Sequence, residues 1–120
     1  MIAEGMDIRA SVRFVSMSPQ KIRLVIDMVR GLDANSAMDV LKFTQNAAAK
    51  PVQKLLRSAI ANAEENFGLN RDDLYVHTIV ADAGPVRKWR RFGARGRFKP
   101  LKRRYSHITI VLREQDMVEA

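Results

Sequence analysis

Two histidines, His77 and His107, are the only imidazoles in the chain. For either to act in catalysis or metal binding it would need a third ligand or an activated nucleophile beside it. The sequence supplies no cysteine and no helical histidine pair. Disulfide frameworks, thiolate metal sites and thiol nucleophiles are therefore excluded, and both histidines read as structural residues or residues at the edge of a binding surface. The acidic pairs Glu64-Glu65 and Asp72-Asp73 fall at predicted element ends, where solvated caps are the default. Gly93-Ala94-Arg95-Gly96 has the spacing of a Gly-x-x-Gly phosphate clamp, but that clamp joins helices whereas here the flanks read as strands. Positive backbone angles at a hairpin tip account for both glycines. No catalytic set, metal site or cofactor is expected.

The informative chemistry is electrostatic. From Gly84 to Arg104 the chain carries ten bases (Arg87, Lys88, Arg90, Arg91, Arg95, Arg97, Lys99, Lys102, Arg103 and Arg104) and no acid. The whole chain has 21 Lys and Arg against 13 Asp and Glu, for a formal charge of +8, so everything outside that segment is slightly acidic. Trp89, Phe92 and Phe98 lie within the segment and Tyr105 follows it, half of the aromatic residues of the chain. Guanidinium groups pair with phosphates and rings stack on unpaired bases, so this interleaving suits nucleic acid. Ten like charges on a free surface would repel one another, and an ordered arrangement requires a polyanion to neutralise them.

The elements that must position this segment can be read from periodicity. Ile8, Ala10, Val12 and Phe14 alternate with Arg9, Ser11 and Arg13, which predicts a half-buried strand over Ile8–Val15 with Phe14 on its inner face. Ser18-Pro19 reads as an N-cap with proline at the first helical position. Ile22, Val25, Ile26 and Val29 then follow at helical spacing, and Gly31 supplies the stop. A second helix should begin at Asp33 or Asn35 and end at Phe43, with Ala37, Val40 and Leu41 on its apolar side. A third carries Val52, Leu55, Leu56, Ala59, Ile60, Ala63 and Phe67, with Pro51 near its start and Gly68 at a left-handed close. Met28 and Met38 read as core fillers. From Leu74 the period becomes two, with Leu74, Val76, Thr78 and Val80 on one face. A matching strand runs His107–Leu112.

The basic segment lies between those strands, and the simplest connection is a hairpin turning near Gly93-Ala94-Arg95-Gly96. Twelve residue steps from Asp82 to Ala94 span roughly 40 Å at about 3.3 Å each. A compact body of this length has a radius of gyration of only about 14 Å. The expectation is one domain over residues 1–120 with a β-hairpin arm at about 82–106. No apolar stretch approaches the roughly 18 residues needed to span a bilayer, and the N-terminus lacks the basic character of a targeting peptide.

Several motifs carry a family resemblance. Ser18-Pro19-Gln20-Lys21-Ile22-Arg23-Leu24-Val25, closing with Arg30-Gly31, resembles the first helix of large-subunit ribosomal protein twenty-two. Ser58-Ala59-Ile60-Ala61-Asn62-Ala63-Glu64 with Asn66 is similar to its long helix. Asp82 with Gly84-Pro85, Ala94-Arg95-Gly96-Arg97 and Ser106-His107-Ile108-Thr109 resemble its hairpin at matching distances. The resemblance covers roughly Ile8 to Leu112. Departures concentrate on the arm: Trp89, Phe92, Phe98 and Pro100 replace aliphatic, proline, small and basic residues, and Ala47 occupies a usual lysine position.

The resemblance implies an α+β fold, a three-stranded antiparallel sheet packed against three helices, with a long protruding basic β-hairpin. It implies a non-catalytic component of the large ribosomal subunit, monomeric within a cytoplasmic ribosome, an organellar one also being open. Its partners would be ribosomal RNA, neighbouring ribosomal proteins including large-subunit protein four, and the nascent polypeptide. The RNA-binding set would comprise the ten arm bases, Trp89 and His107, with Arg9, Arg13, Lys21 and Arg23 on the body. Phe92, Gly93, Ala94, Arg95, Gly96 and Arg97 would form a tip lining the polypeptide exit tunnel at its constriction. A basic ribbon would also suit an architectural DNA-binding protein that bends a duplex from the minor groove. Such proteins act as symmetric dimers, and this chain shows no apolar surplus for an obligate dimer interface.

Overall fold

The computed structural model describes residues 7–84, 87–92 and 98–115, with the backbone alone over 87–92 and 98–103. Strand β1 (Ile8–Val15) leads into helices α1 (Pro19–Val29), α2 (Ala34–Phe43) and α3 (Ala49–Phe67). A single 3₁₀ turn (Arg71–Asp73) precedes β2 (Leu74–Ala83), and β3 (Arg87–Phe92), β4 (Phe98–Arg103) and β5 (Ser106–Glu114) follow. Strands β1, β5 and β2 form an antiparallel sheet in that order, with the C-terminal strand at its centre, while β3 and β4 form a separate two-stranded sheet. Helix α1 packs on β2, α3 on β1 and β5, and α2 against both helices.

Local chemistry explains the helices. Pro19 opens α1 after the extended Ser18, because its missing N–H is one the first turn would leave unpaired. Ile22, Val25, Ile26 and Val29 give α1 one buried stripe. Pro51 falls in the first turn of α3 and opens that helix without interrupting it. Gly68 closes it at φ 65°, with its N–H bonded to the carbonyl of Ala63. The core is formed where these stripes meet Leu74, Val76, Ile79, Ile108, Ile110 and Leu112 on the inner face of the sheet.

Two strands depart from strict alternation. Pairing between β1 and β5 shifts between Val12 and Val15, and Phe14, expected inside, is 56% exposed with φ 60°. That left-handed conformation costs a bulky residue of order 1–3 kcal/mol, and Val15 packs against the core in its place. On β2 the register shifts between Val76 and Thr78. Beyond this bulge the inner face passes to Ile79 and Ala81, so Thr78 and Val80 are not the core positions that alternation predicts. Met28 is also exposed, as is Phe67 at the end of the α3 stripe.

The radius of gyration is 18.0 Å and the principal extents are 70 × 28 × 23 Å; a compact chain of 120 residues would have a radius of about 14 Å. Every core residue among the described ones belongs to the body, and β3 and β4 contact mainly each other. Joining Gly84 to Tyr105 through an Asn-Gly turn, which removes the arm, should therefore preserve a single cooperative unfolding transition. Calorimetry checks this, and a molten product would mean that the arm packs on the body.

Candidate nucleic-acid interface

The arm is defined by its pairing. Arg87 stands opposite Arg103, Lys88 opposite Lys102, Trp89 opposite Leu101, Arg90 opposite Pro100, Arg91 opposite Lys99 and Phe92 opposite Phe98. Three of the six pairs set like charges directly across from each other, an arrangement that destabilises an isolated ribbon. Alternation puts Arg87, Arg91, Lys99 and Arg103 on one face and Lys88, Arg90 and Lys102 on the other. Neither face lacks cations, so neither is suited to an apolar core. The predicted tip residues Gly93, Ala94, Arg95, Gly96 and Arg97 lie outside the described residues.

The arm is rooted where three segments meet. Ser106 pairs with Ala83 on β2 and with Val15 on β1. It is fully buried, and its hydroxyl donates to the Met17 carbonyl at 2.6 Å, tying the first residue of β5 to the turn before α1. The Gly84 N–H donates to the Tyr105 carbonyl at 2.8 Å. A Cβ at Gly84 would lie 3.1 Å from that oxygen and 3.2 Å from the His107 ring, so a larger residue here would have to push these neighbours back by a few tenths of an ångström. His107 is half-buried. Its Nδ1 accepts the Phe14 N–H at 3.1 Å, which places the proton of a neutral ring on Nε2. The Phe14 ring meets His107 edge to face at 5.0 Å and Tyr105 at 6.2 Å.

The structure separates the body set. Arg13 and Lys21 are exposed near the root, whereas Arg9 stands opposite Val111, about four residues along β1. Arg23 has a structural engagement that the sequence did not reveal. Its Nε and Nη2 donate to the Ala81 carbonyl at 3.2 and 2.8 Å, and Arg30, two turns further along α1, donates to the Ile79 carbonyl at 2.9 Å. Strand β2 is an edge strand, and these two guanidinium groups occupy carbonyls that could otherwise template a foreign strand. Arg23 also lines, with Gln20, Gly84 and Arg104, a groove of about 270 Å³ between α1 and the root. Arg23 and Arg104 thus share a groove at the end of the body from which the arm departs, while exposed Arg13 and Lys21 lie on the adjoining end of β1 and in the first turn of α1.

Residues that could suggest other chemistry are engaged locally. His77 meets the Thr78 hydroxyl at 2.7 Å and Arg113 at 3.0 Å, and Arg113 donates to Asp7 at 2.6 Å. The hydrogen bond from Arg113 holds the Asp7 carboxyl below the usual carboxylate range, and Arg71 does the same for Glu64. Each lowered value contributes stability that is complete above the ordinary carboxylate range and is lost as the pH falls through it. Asp7 is exposed and Glu64 partly so, which keeps these contributions small. Sequence reasoning passed over Phe14 and Tyr105 as site residues. It also passed over Phe43, 77% exposed with the Lys42 ammonium 5.8 Å from its ring centre. The exposure of Phe14 depends on a bulge that periodicity does not register.

Comparison with known proteins identifies the family. The family model described as ribosomal protein L22p/L17e matches residues 10–113. The chain is 48% identical over 111 residues to large ribosomal subunit protein uL22 of Thermoanaerobacter pseudethanolicus, covering 92% of this chain and all of the relative. It is 44% identical over 110 residues to the protein of that name from Chloroflexus aggregans, covering 92% of this chain and 97% of the relative. For Caldicellulosiruptor saccharolyticus the identity is 45% over 107 residues, covering 89% and 88%. A match over nearly the whole chain, arm included, decides against the architectural DNA-binding alternative. The chain belongs to the ribosomal protein L22p/L17e family and is a structural, non-catalytic component of the large ribosomal subunit, at work in the cytoplasm as part of the ribosome.

Proposed function

We propose that this protein binds large-subunit ribosomal RNA through both faces of its basic arm and through the cations at the arm's root, and so supports assembly of the subunit. The observation that carries the reading is the register of β3 and β4, which leaves cations on both faces of the ribbon. A ribbon charged on one face could lie against a surface, but one charged on both is suited to insertion into a polyanion. Arg13, Lys21, Arg23 and Arg104 would bind phosphates where the arm enters the RNA, Arg9 would extend that contact along β1, and His107 would stand at the RNA edge. The tip, Phe92 to Arg97, would reach the wall of the exit tunnel, meet the nascent polypeptide and stand beside large-subunit protein four at the constriction.

On this reading the body anchors and the tip shapes the tunnel. Deleting Phe92 to Arg97 should leave recovery of the protein in salt-washed large subunits near the parental level while changing the readthrough of a stalling nascent peptide. Quantitative mass spectrometry of the subunits beside a stalling reporter tests both parts. Lost incorporation with an unchanged reporter would make the tip an assembly anchor and overturn this division.

A further inference from the structure

Phe14 has a geometry that folding alone does not demand. Its backbone is left-handed, the residue is more than half exposed, and Val15 makes the core contact that alternation would have assigned to it. Glycine or asparagine would adopt this conformation with less strain, and neither would give up a buried side chain. The position is nevertheless held firmly. The Phe14 N–H is bonded to His107 Nδ1, and edge contacts with His107 and Tyr105 fix the ring on two sides. The Gly84 N–H, bonded to the Tyr105 carbonyl, ties Tyr105 in turn to the residue that follows β2. Exposed Arg13 and Arg104 adjoin Phe14 and Tyr105 in the chain.

We infer that Phe14 is a stacking platform for one unpaired nucleobase of RNA, presented at the root of the arm by the bulge in β1, with Arg13 and Arg104 binding the flanking phosphates. The inference rests on the RNA-binding reading above and adds to it a base-contacting site on the body. A fixed, exposed ring whose chain neighbour is the exposed Arg13, and whose ring partner Tyr105 follows the exposed Arg104, fits a base attached to a phosphate chain, because stacking tolerates any base while cations favour the backbone. An apolar protein side chain would make no use of the two guanidinium groups.

The test compares the full-length protein with Phe14→Gly and Phe14→Trp, using two probes of equal length and charge: a uridylate dodecamer and its abasic counterpart. Phe14→Gly should weaken binding of the uridylate probe about tenfold, leave abasic binding and the salt slope unchanged, and leave the unfolding temperature undiminished. Phe14→Trp should restore uridylate binding. Ultraviolet irradiation of the parental complex should place a uridine adduct on the tryptic peptide Phe14–Lys21, whose only aromatic residue is Phe14. Equal losses on both probes, or no loss on either, would overturn the stacking role while the RNA-binding reading stands. If the parental protein binds neither probe with salt-dependent affinity, the RNA-binding reading fails and the stacking site with it. Normal binding of both probes by Phe14→Gly together with its loss from large subunits would assign the ring to a protein neighbour instead.

Discussion

Replacing Arg87, Lys88, Arg90 and Arg91 together by glutamine should reduce the affinity of the free protein for large-subunit ribosomal RNA by about three orders of magnitude at 0.1 M salt. Each phosphate neutralised contributes roughly 0.7 to 0.9 to the slope of log K against log salt, so losing four should flatten that slope by about 3. Extrapolated from 1 M salt, the same difference is worth about three decades of affinity at 0.1 M. The substitutions lie on one arm strand, opposite Arg103, Lys102, Pro100 and Lys99, and they remove three like-charge pairings. The fold should therefore persist, since all described core residues lie elsewhere. Fluorescence anisotropy across a salt series measures the slope, and circular dichroism verifies the fold. An unchanged slope would place the phosphate contacts elsewhere than on these four residues.

The same separation explains what was legible in the sequence. Helices α1 and α3 were clear because apolar stripes, proline at the first turn and glycine at the close all act within a few residues, and Gly31 and Gly68 do take positive φ. The arm was clear because charge without an apolar period excludes a core element. The bulges at Phe14 and His77 were not, because a bulge depends on pairing with β5, roughly ninety and thirty-five residues distant in the chain. A one-residue slip there exchanged Thr78 and Val80 for Ile79 and Ala81 on the inner face. Arg23 was identified by type as an RNA contact, yet type cannot show that α1 lies against the β2 edge with the Ala81 carbonyl within reach. Ser106 entered only through resemblance; its physical reason is a buried hydroxyl bonded across 89 residues to Met17.

Ile110→Ala should be the most damaging single truncation of the body. Ile110 is fully buried on the central strand and stands in register between Ile79 on β2 and Ala10 on β1. Ala10 is too short to fill the space left behind, and the bulges fix the register of both outer strands, so collapse around the cavity is limited. Isoleucine-to-alanine changes in such sites cost about 2–5 kcal/mol, and the loss here should fall in the upper half of that range. A domain of this length stands only about 5–15 kcal/mol above its unfolded state, and the melting temperature should fall by roughly 10–15 °C. The free variant should therefore be marginal, while RNA that binds only the folded form restores the population by mass action. Thermal unfolding with and without large-subunit ribosomal RNA should show the deficit in the free protein and most of it recovered in the complex. If RNA does not raise the midpoint of the variant, binding is not linked to the folded body, and the root cations do not contribute the anchoring assigned to them.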